Sequence, residues 1–341
     1  MRKRTFLATL AAAALSTAAG FGIGIGGAQA GPVYDGQTVI LIVPNSPAGM
    51  MSQYARAIAP FLAKHLGAKE VRVENHQGAG SLKGTNLLWH ADPDGKTIAF
   101  TNIPTLIMAQ LAESPGVQFD AAKFTYLGRV VDDPRVVVVG KEAAFKDIEG
   151  LKALGRPFVY PSQGTDEDFY SMAVLADSLG APIKVVTGYE GNADTALAVI
   201  KGEADVHMTS WSSSRGPIEA GEMAPLLIVS SKRIPQAPDV PTAVEVVTDP
   251  AKKASIAAIA QILDMSRGFF GPPAMDAAAT EEMRAAIEAT LKDPELLALT
   301  EKNQMPINYA PGTEQQATVA TLTETSASLT PILKAALDSI K

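Results

Sequence analysis

From residue 38 onward, short apolar runs alternate with segments of helical period. "TVILIVP" (38–44) predicts a strand and is followed by a helix over Gln53–Leu66. "EVRVEN" (70–75) predicts the next strand, residues 81–90 a second helix, Asp92-Pro93-Asp94-Gly95 a turn, and "KTIAFTN" (96–102) a third strand. This β-α-β-α-β order is that of an open parallel sheet covered by helices. A fully apolar strand, "RVVVVG" (135–140), then opens a second α/β run. Its members are "PFVYPS", a helix over 167–179, "IKVVTGY", a helix over 192–201, "ADVHMTS" and "APLLIVSS" (224–231). The proline-rich "KRIPQAPDVPT" predicts an extended connection, and helices at 249–263, 277–291, 293–303 and 313–340 complete the chain. The architecture expected is α/β with two lobes and a cleft between them. Residues 31–134 and 232–341 form the first lobe and 135–231 the second, with crossing strands near 135–140 and 224–231.

Three loops share one design. Pro44-Asn45-Ser46-Pro47-Ala48-Gly49, Pro161-Ser162-Gln163-Gly164-Thr165 and Tyr189-Glu190-Gly191-Asn192 each follow a strand and run straight into a helix. The first turn of a helix carries free N–H groups and partial positive charge. Small residues let a ligand approach that backbone, so several such termini facing one cleft form an anion site without Arg or Lys. Taken singly, each loop reads better as an ordinary connection whose Ser, Thr or Asn caps a helix; it is the recurrence of the design that makes the anion site its equal.

Composition narrows the chemistry. Arg2, Lys3 and Arg4, an Ala-rich apolar stretch and Ala28-Gln29-Ala30 read as a secretory signal peptide over 1–30, removed on export to the periplasm. The match to G-x-G-x-x-G within 22–27 lies inside that leader and carries no dinucleotide chemistry. The chain has no cysteine, which excludes a lipid anchor, a disulfide framework and thiol chemistry. Its formal net charge is −7, and −10 once the three leader cations are set aside; with no basic run, nucleic-acid binding is not expected. His65, His76, His90 and His207 form no H-x-x-x-H or H-E-x-x-H pair, so no metal site is read. His207 alternates along a buried strand as a satisfied core residue would. No G-x-S-x-G elbow is present and Ser212-Ser213-Ser214 reads as a loop, so neither catalysis nor a cofactor is expected.

"VPNSPAG", "VRVENHQGAGSLKGTNLLWHADPDGKTIAF", "VVTGYEGNADTALAVIKGEADVHM" and "LLIVSSKRIPQAPDVPTAVEV" resemble, in order and over essentially the whole chain after the leader, the periplasmic receptors of tripartite tricarboxylate transporters, the Bug family. The resemblance implies a type II Venus-flytrap protein that closes on a small organic acid and delivers it to membrane permease subunits. It also implies a monomer with no cofactor. The ligand positions it implies are Asn45, Ser46, Ala48, Gly49, Met50, Met51 and Ser52 in the first loop. Asn102 and Ile103 follow the third strand, and Ser162, Gln163, Gly164, Thr165 and Asp166 form the next group. Tyr189, Glu190, Gly191 and Asn192, then Asp205 and Ser210, complete the set.

The sequence departs from the family pattern at several of these positions. A Gly-Gly is Ala48-Gly49 here, the usual aspartate is Ser52 behind Met50 and Met51, and the lysine of Y-K-G-G is Glu190. Asp166-Glu167-Asp168 stands where the family is uncharged; helix N-terminal acidity alone accounts for such a run. One side of the cleft is thus expected to be more apolar and the other more acidic. Met adapts to an apolar ligand body, and Tyr170, Tyr189 and Trp211 are candidates to cover it. Two rival functions stay open: a periplasmic sensing partner of a signalling system, and an enzyme on the same scaffold.

Overall fold

The computed structural model describes residues 32–340, so the leader assignment lies outside the described residues. The first α/β stretch comprises β1 (Thr38–Val43), α1 (Met50–Leu66), β2 (Glu70–Asn75), α2 (Leu82–Trp89), β3 (Thr97–Asn102), α3 (Ile103–Leu111) and β4 (Thr125–Val131). The second comprises β5 (Arg135–Gly140), α4 (Ile148–Lys152), β6 (Phe158–Pro161), α5 (Glu167–Leu179), β7 (Ile183–Val186), α6 (Asn192–Ile200), β8 (His207–Ser210), α7 (Trp211–Glu219) and β9 (Met223–Val229). There follow α8 (Ala243–Val246), α9 (Pro250–Leu263), β10 (Arg267–Gly271), α10 (Ala277–Leu291), α11 (Pro294–Lys302), β11 (Ala310–Pro311), α12 (Gly312–Thr325) and α13 (Thr330–Asp338).

Among the described residues the strands form three sheets. The largest has the order β11-β4-β10-β3-β1-β2. β1 runs parallel to β2 and β3, as the β-α-β pattern predicts, but β10 lies antiparallel to both β3 and β4. The sheet is therefore mixed, because a late strand inserts between two early ones. The second sheet, β8-β5-β9, is antiparallel throughout. β6 and β7 form a parallel pair joined to it where the amide of Asp205 donates to the Val159 carbonyl at 2.9 Å. The expected extended connection is present: Ile228 N–H donates to the Pro241 carbonyl at 2.9 Å, laying 232–242 alongside β9.

Most of these segments are read from local pattern, and the exceptions have local causes. The long C-terminal helix is broken, with a 3₁₀ turn over Ser326–Leu329 separating α12 from α13. Residues 212–214 are helical, within α7, because Asp133 supplies what the sequence around them lacks. Its carboxylate accepts from the Ser212 amide at 3.1 Å and from the Ser212 hydroxyl, satisfying a first-turn donor from another element.

The main apolar core runs between the sheets. α5 packs against α9, α13 and α3. The fully buried Phe158, Phe169 and Tyr170 of the second stretch belong to the same cluster as Ile107, Ile259 and Leu333. A separate cluster under α1 and α10 buries Leu41, Tyr54, Ile58 and Phe269. The opposite face of β5 carries a third, built on Val136, Val138, Val199 and Ile228. No described helix is long and apolar enough to cross a membrane.

Candidate functional site

The carboxyl ends of β1, β3, β6 and β8 open on one cleft of about 830 Å³, the volume of a small-molecule site. Its walls are built largely from helix N-termini. The residues that precede α1, α2, α3, α6 and α7 are Gly49, Ser81, Asn102, Gly191 and Ser210. All five line the cleft, and none caps its own helix with its side chain, although Asp133 serves the Ser212 amide of α7 from another element. Away from the cleft, Asp147, Thr242, Asp249, Asp276 and Asp293 cap α4, α8, α9, α10 and α11 with their side chains, while α12 and α13 have no side-chain cap. In α1 the amides of Met50, Met51 and Ser52 find no acceptor among the described residues, and no acidic residue lies in that turn. Positive partial charge is left there unbalanced.

α5 is the exception. Asp166 lines the cleft but spends one oxygen on its own helix, accepting from the Phe169 amide at 3.0 Å, and the other on the Gln163 side chain at 2.7 Å. The second of the three loops therefore presents a carboxylate where the other two present amides. Burial, followed by the neighbouring Glu167, raises the Asp166 carboxyl to about 7.

Two arginines were not singled out from the sequence. Arg135 opens β5, Arg267 opens β10, and each is only 3% exposed at the cleft. Arg135 donates through Nε to Asp168 at 2.6 Å and through Nη2 to Glu167. Burial opposes its charge, but Asp168, Glu167 and Asp133 together raise its pKa above the usual guanidinium range. Glu167 also accepts from the Asn102 amide group and the Thr105 hydroxyl, tying α5 to α3. The acidic run 166–168 is thus internal structure: one cap and two partners of a buried arginine. Arg267 Nη2 donates to Ser210 Oγ at 2.9 Å and Nη1 lies 2.8 Å from Asp133, while Nε has no acceptor. Its guanidinium stacks over Tyr54, 5.4 Å from the ring centre. The signal for both residues was an arginine at the first position of an otherwise apolar or Gly-Phe strand.

The expected ligand residues divide. Asn45, Ser46, Ala48, Gly49, Met50, Met51, Asn102, Gln163, Gly164, Asp166, Glu190, Gly191, Asn192 and Ser210 come together around the cleft. Ser52, Ile103, Ser162, Thr165, Tyr189 and Asp205 are not among its lining residues. Ser52 supports the first loop from behind, donating to the Ser46 carbonyl at 2.8 Å and accepting from Asn75 at 2.6 Å. Ile103 is core. Ser162 braces its own loop by donating to the Gly164 carbonyl at 2.7 Å. Asp205 is held on the other side of β6, bidentate with Arg156 at 2.6 and 2.8 Å and accepting from the Val159 amide at 2.7 Å. Tyr189 and Trp211 pack on the third core cluster, and Tyr170 is buried with its hydroxyl on Ser114, so none of the three aromatics reaches the cleft. His207 lines the cleft, and it is buried without being satisfied: neither ring nitrogen has a partner. Among the described residues no group of His, Asp and Glu could hold a metal ion.

The profile of the tripartite tricarboxylate transporter family receptor (TctC) matches residues 54–336. The chain belongs to this receptor family. Its curated relatives include a UPF0065 protein of Agrobacterium vitis, 27% identical over 78% of this chain and 75% of its own. BugT of Bordetella pertussis is 24% identical over 65% of this chain and 69% of its own. Among solved structures, the periplasmic binding protein BugD superposes with a TM-score of 0.71 at 21% identity, over 88% of this chain and 98% of that one. MatC from Rhodopseudomonas palustris with bound malate gives 0.70 at 22%, over 87% and 99%. At these identities the structures establish the fold, the two-lobe architecture of periplasmic binding proteins. TctC receptors are binding proteins rather than enzymes, and the cleft described above occupies the position between sheets where an α/β fold takes its ligand.

Proposed function

We propose that this TctC receptor is exported to the periplasm as a monomer, captures a small organic acid in the cleft, and delivers it in the closed form to permease subunits of a tripartite tricarboxylate-type transporter. The lobes are residues 31–134 with 232–341, and 135–231. The observation that carries the reading is the first turn of α1 at the cleft, whose amides have neither a side-chain cap nor another acceptor among the described residues. A carboxylate against the free amides of Met50, Met51 and Ser52 would supply the missing acceptors. MatC with malate, and a second R. palustris structure with adipate, are relatives of the same fold that hold small organic acids.

The remaining charges favour a ligand with few anionic groups. Arg135 is already satisfied by two carboxylates, and Arg267 is engaged by Asp133 and Ser210 with its Nε left free for one acceptor. Glu190 and Asp194 line the cleft beside α6, where a second ligand carboxylate would meet repulsion of about 1 kcal/mol per pair at 4 Å even in water. A monoanionic or zwitterionic acid with an apolar body against Met50 fits this distribution best.

Thermal shift and calorimetry on the leaderless protein, with mono- and dicarboxylates, aromatic acids and amino acids, test the reading. A true ligand at about a hundred times its Kd adds roughly 2.7 kcal/mol of stability. Binding of amines or sugars with no response to any carboxylate would overturn it.

A further inference from the structure

The cleft does not end at the helix termini. Between α6 and α7 it continues as a side branch over the face of β8 and β5 that bears the third core cluster. Its lining there includes Leu197 and Ile200 of α6, Pro217 of α7 and Met223 of β9. Along β8, His207 and Thr209 face this branch, while Met208 turns to the main core. At the entrance, Asn192 donates to the Thr209 hydroxyl, so Thr209 is occupied. His207 is 2% exposed, opposite Val138 in the strand register, and both its nitrogens lack partners.

A buried polar group without a partner is destabilising, and an imidazole has two such atoms. An apolar side chain at 207 would complete the surrounding cluster of Val136, Val138 and Ile228 without that loss. The imidazole is therefore placed for something that enters the branch. No acidic residue lies in contact with it, and burial lowers its pKa to about 4, so it meets an incoming group as the neutral ring, one donor and one acceptor. A hydroxyl or carbonyl matches a neutral donor and acceptor in apolar walls; a second carboxylate would be stripped of water with no cation to receive it.

We infer that the branch between α6 and α7 is a tail pocket, taking the apolar chain of a monocarboxylate that ends in a neutral hydrogen-bonding group held by His207. The inference rests on the cleft being a carboxylate receptor, with the acid group at the uncapped helix N-termini and the tail reaching into the branch.

The test compares hexanoate, 6-hydroxyhexanoate and adipate, and the corresponding series from octanoate, by calorimetry. In the unmutated protein the ω-hydroxy acid of the better length binds at least about tenfold tighter than both the plain acid and the diacid. In His207→Leu the ratio of hydroxy to plain acid falls to about one, and in His207→Gln, which keeps a donor and an acceptor, it is largely restored. Imidazole ¹⁵N shifts, assigned through His207→Leu, move on adding the hydroxy acid and not on adding the plain acid. If carboxylates bind with no hydroxyl preference, or with one that survives in His207→Leu, or with the diacid preferred, the tail pocket is wrong and the receptor reading stands. If no carboxylate binds at all, both fall.

Discussion

At the scale of single residues, His207 shows how the sequence exposes a position without its environment. Alternation along "ADVHMTS" correctly places it inside, but alternation says nothing about partners, because whether the ring finds any depends on how α6, α7 and β5 pack over that face of the strand. The same holds for Arg135 and Arg267, whose apolar strands conceal that each begins inside the cleft. The unsatisfied ring makes a prediction about stability that needs no ligand. In the folded protein the imidazole titrates near 4, against about 6.5 when unfolded. Between those values the unfolded chain takes up a proton that the folded one refuses, so stability falls as pH drops from about 6.5 to 4. The full difference is about 3 kcal/mol. His207→Leu removes this contribution, so the variant gains further on the unmutated protein as acid is added, and this pH-dependent part of the gap vanishes near neutral pH. Denaturant unfolding at pH 7.5, 6 and 4.5 checks it; parallel pH dependence of the two proteins would show the ring protonating freely in the fold.

At the scale of elements, the contrast between capped and uncapped helices was half visible. The small-residue loops before α1 and α6 stand out because strand, turn and helix follow one another within a few residues. The role of Asp166 did not: an acidic run at a helix start reads the same whether it faces solvent, ligand or a buried arginine. Arg135 decides among these, from another strand. β4 and β10 escaped the periodic pattern for a related reason. "TYLGRVV" and "RGFFG" are short and interrupted by Gly and Arg; they take their strand form from antiparallel pairing with each other, and β10 also with β3 and β4 also with β11. The α5 terminus is where this long-range organisation is most consequential. Arg135→Met would leave Glu167 and Asp168 buried without their cation, a change of about 3–5 kcal/mol. Chemical unfolding should show that loss, with the triple change to Met, Gln and Asn at positions 135, 167 and 168 recovering much of it. A loss below about 1 kcal/mol in the single variant would mean the carboxylates reach water when the arginine is gone.

At the scale of the molecule, the two sides of the cleft touch, and the contacts are specific. Gly80, in the loop after β2, faces Thr165, in the loop before α5, so closely that a Cβ on Gly80 would sit 2.7 Å from the Thr165 carbonyl oxygen and 2.8 Å from its hydroxyl. Gly80 also has φ +61, a conformation that L side chains seldom adopt. Nearby, Asn102 and Thr105 reach Glu167, and Arg267 reaches Ser210. These bonds cross between the sheets and none needs a ligand, so in the described form the walls of the cleft meet, and they do so through a glycine. In a hinged receptor the ligand's differential affinity for the closed state sets how far it shifts the equilibrium. A methyl at position 80 acts on that equilibrium directly, because the obstacle exists only when the walls meet. Gly80→Ala should therefore open the unliganded protein, seen as a larger radius of gyration in small-angle scattering. It should also weaken the carboxylate identified by thermal shift by about tenfold or more, since part of the binding energy is spent on reclosing. The backbone strain at φ +61 lowers melting temperature by itself, so Gly80→Asn, which tolerates that conformation better but is bulkier still, separates the causes. If closure is what binding requires, Asn weakens the ligand at least as much as Ala while melting nearer the unmutated protein. If instead affinity follows melting temperature across the pair, strain alone explains the effect and the wall contact at Gly80 has no part in closing the cleft.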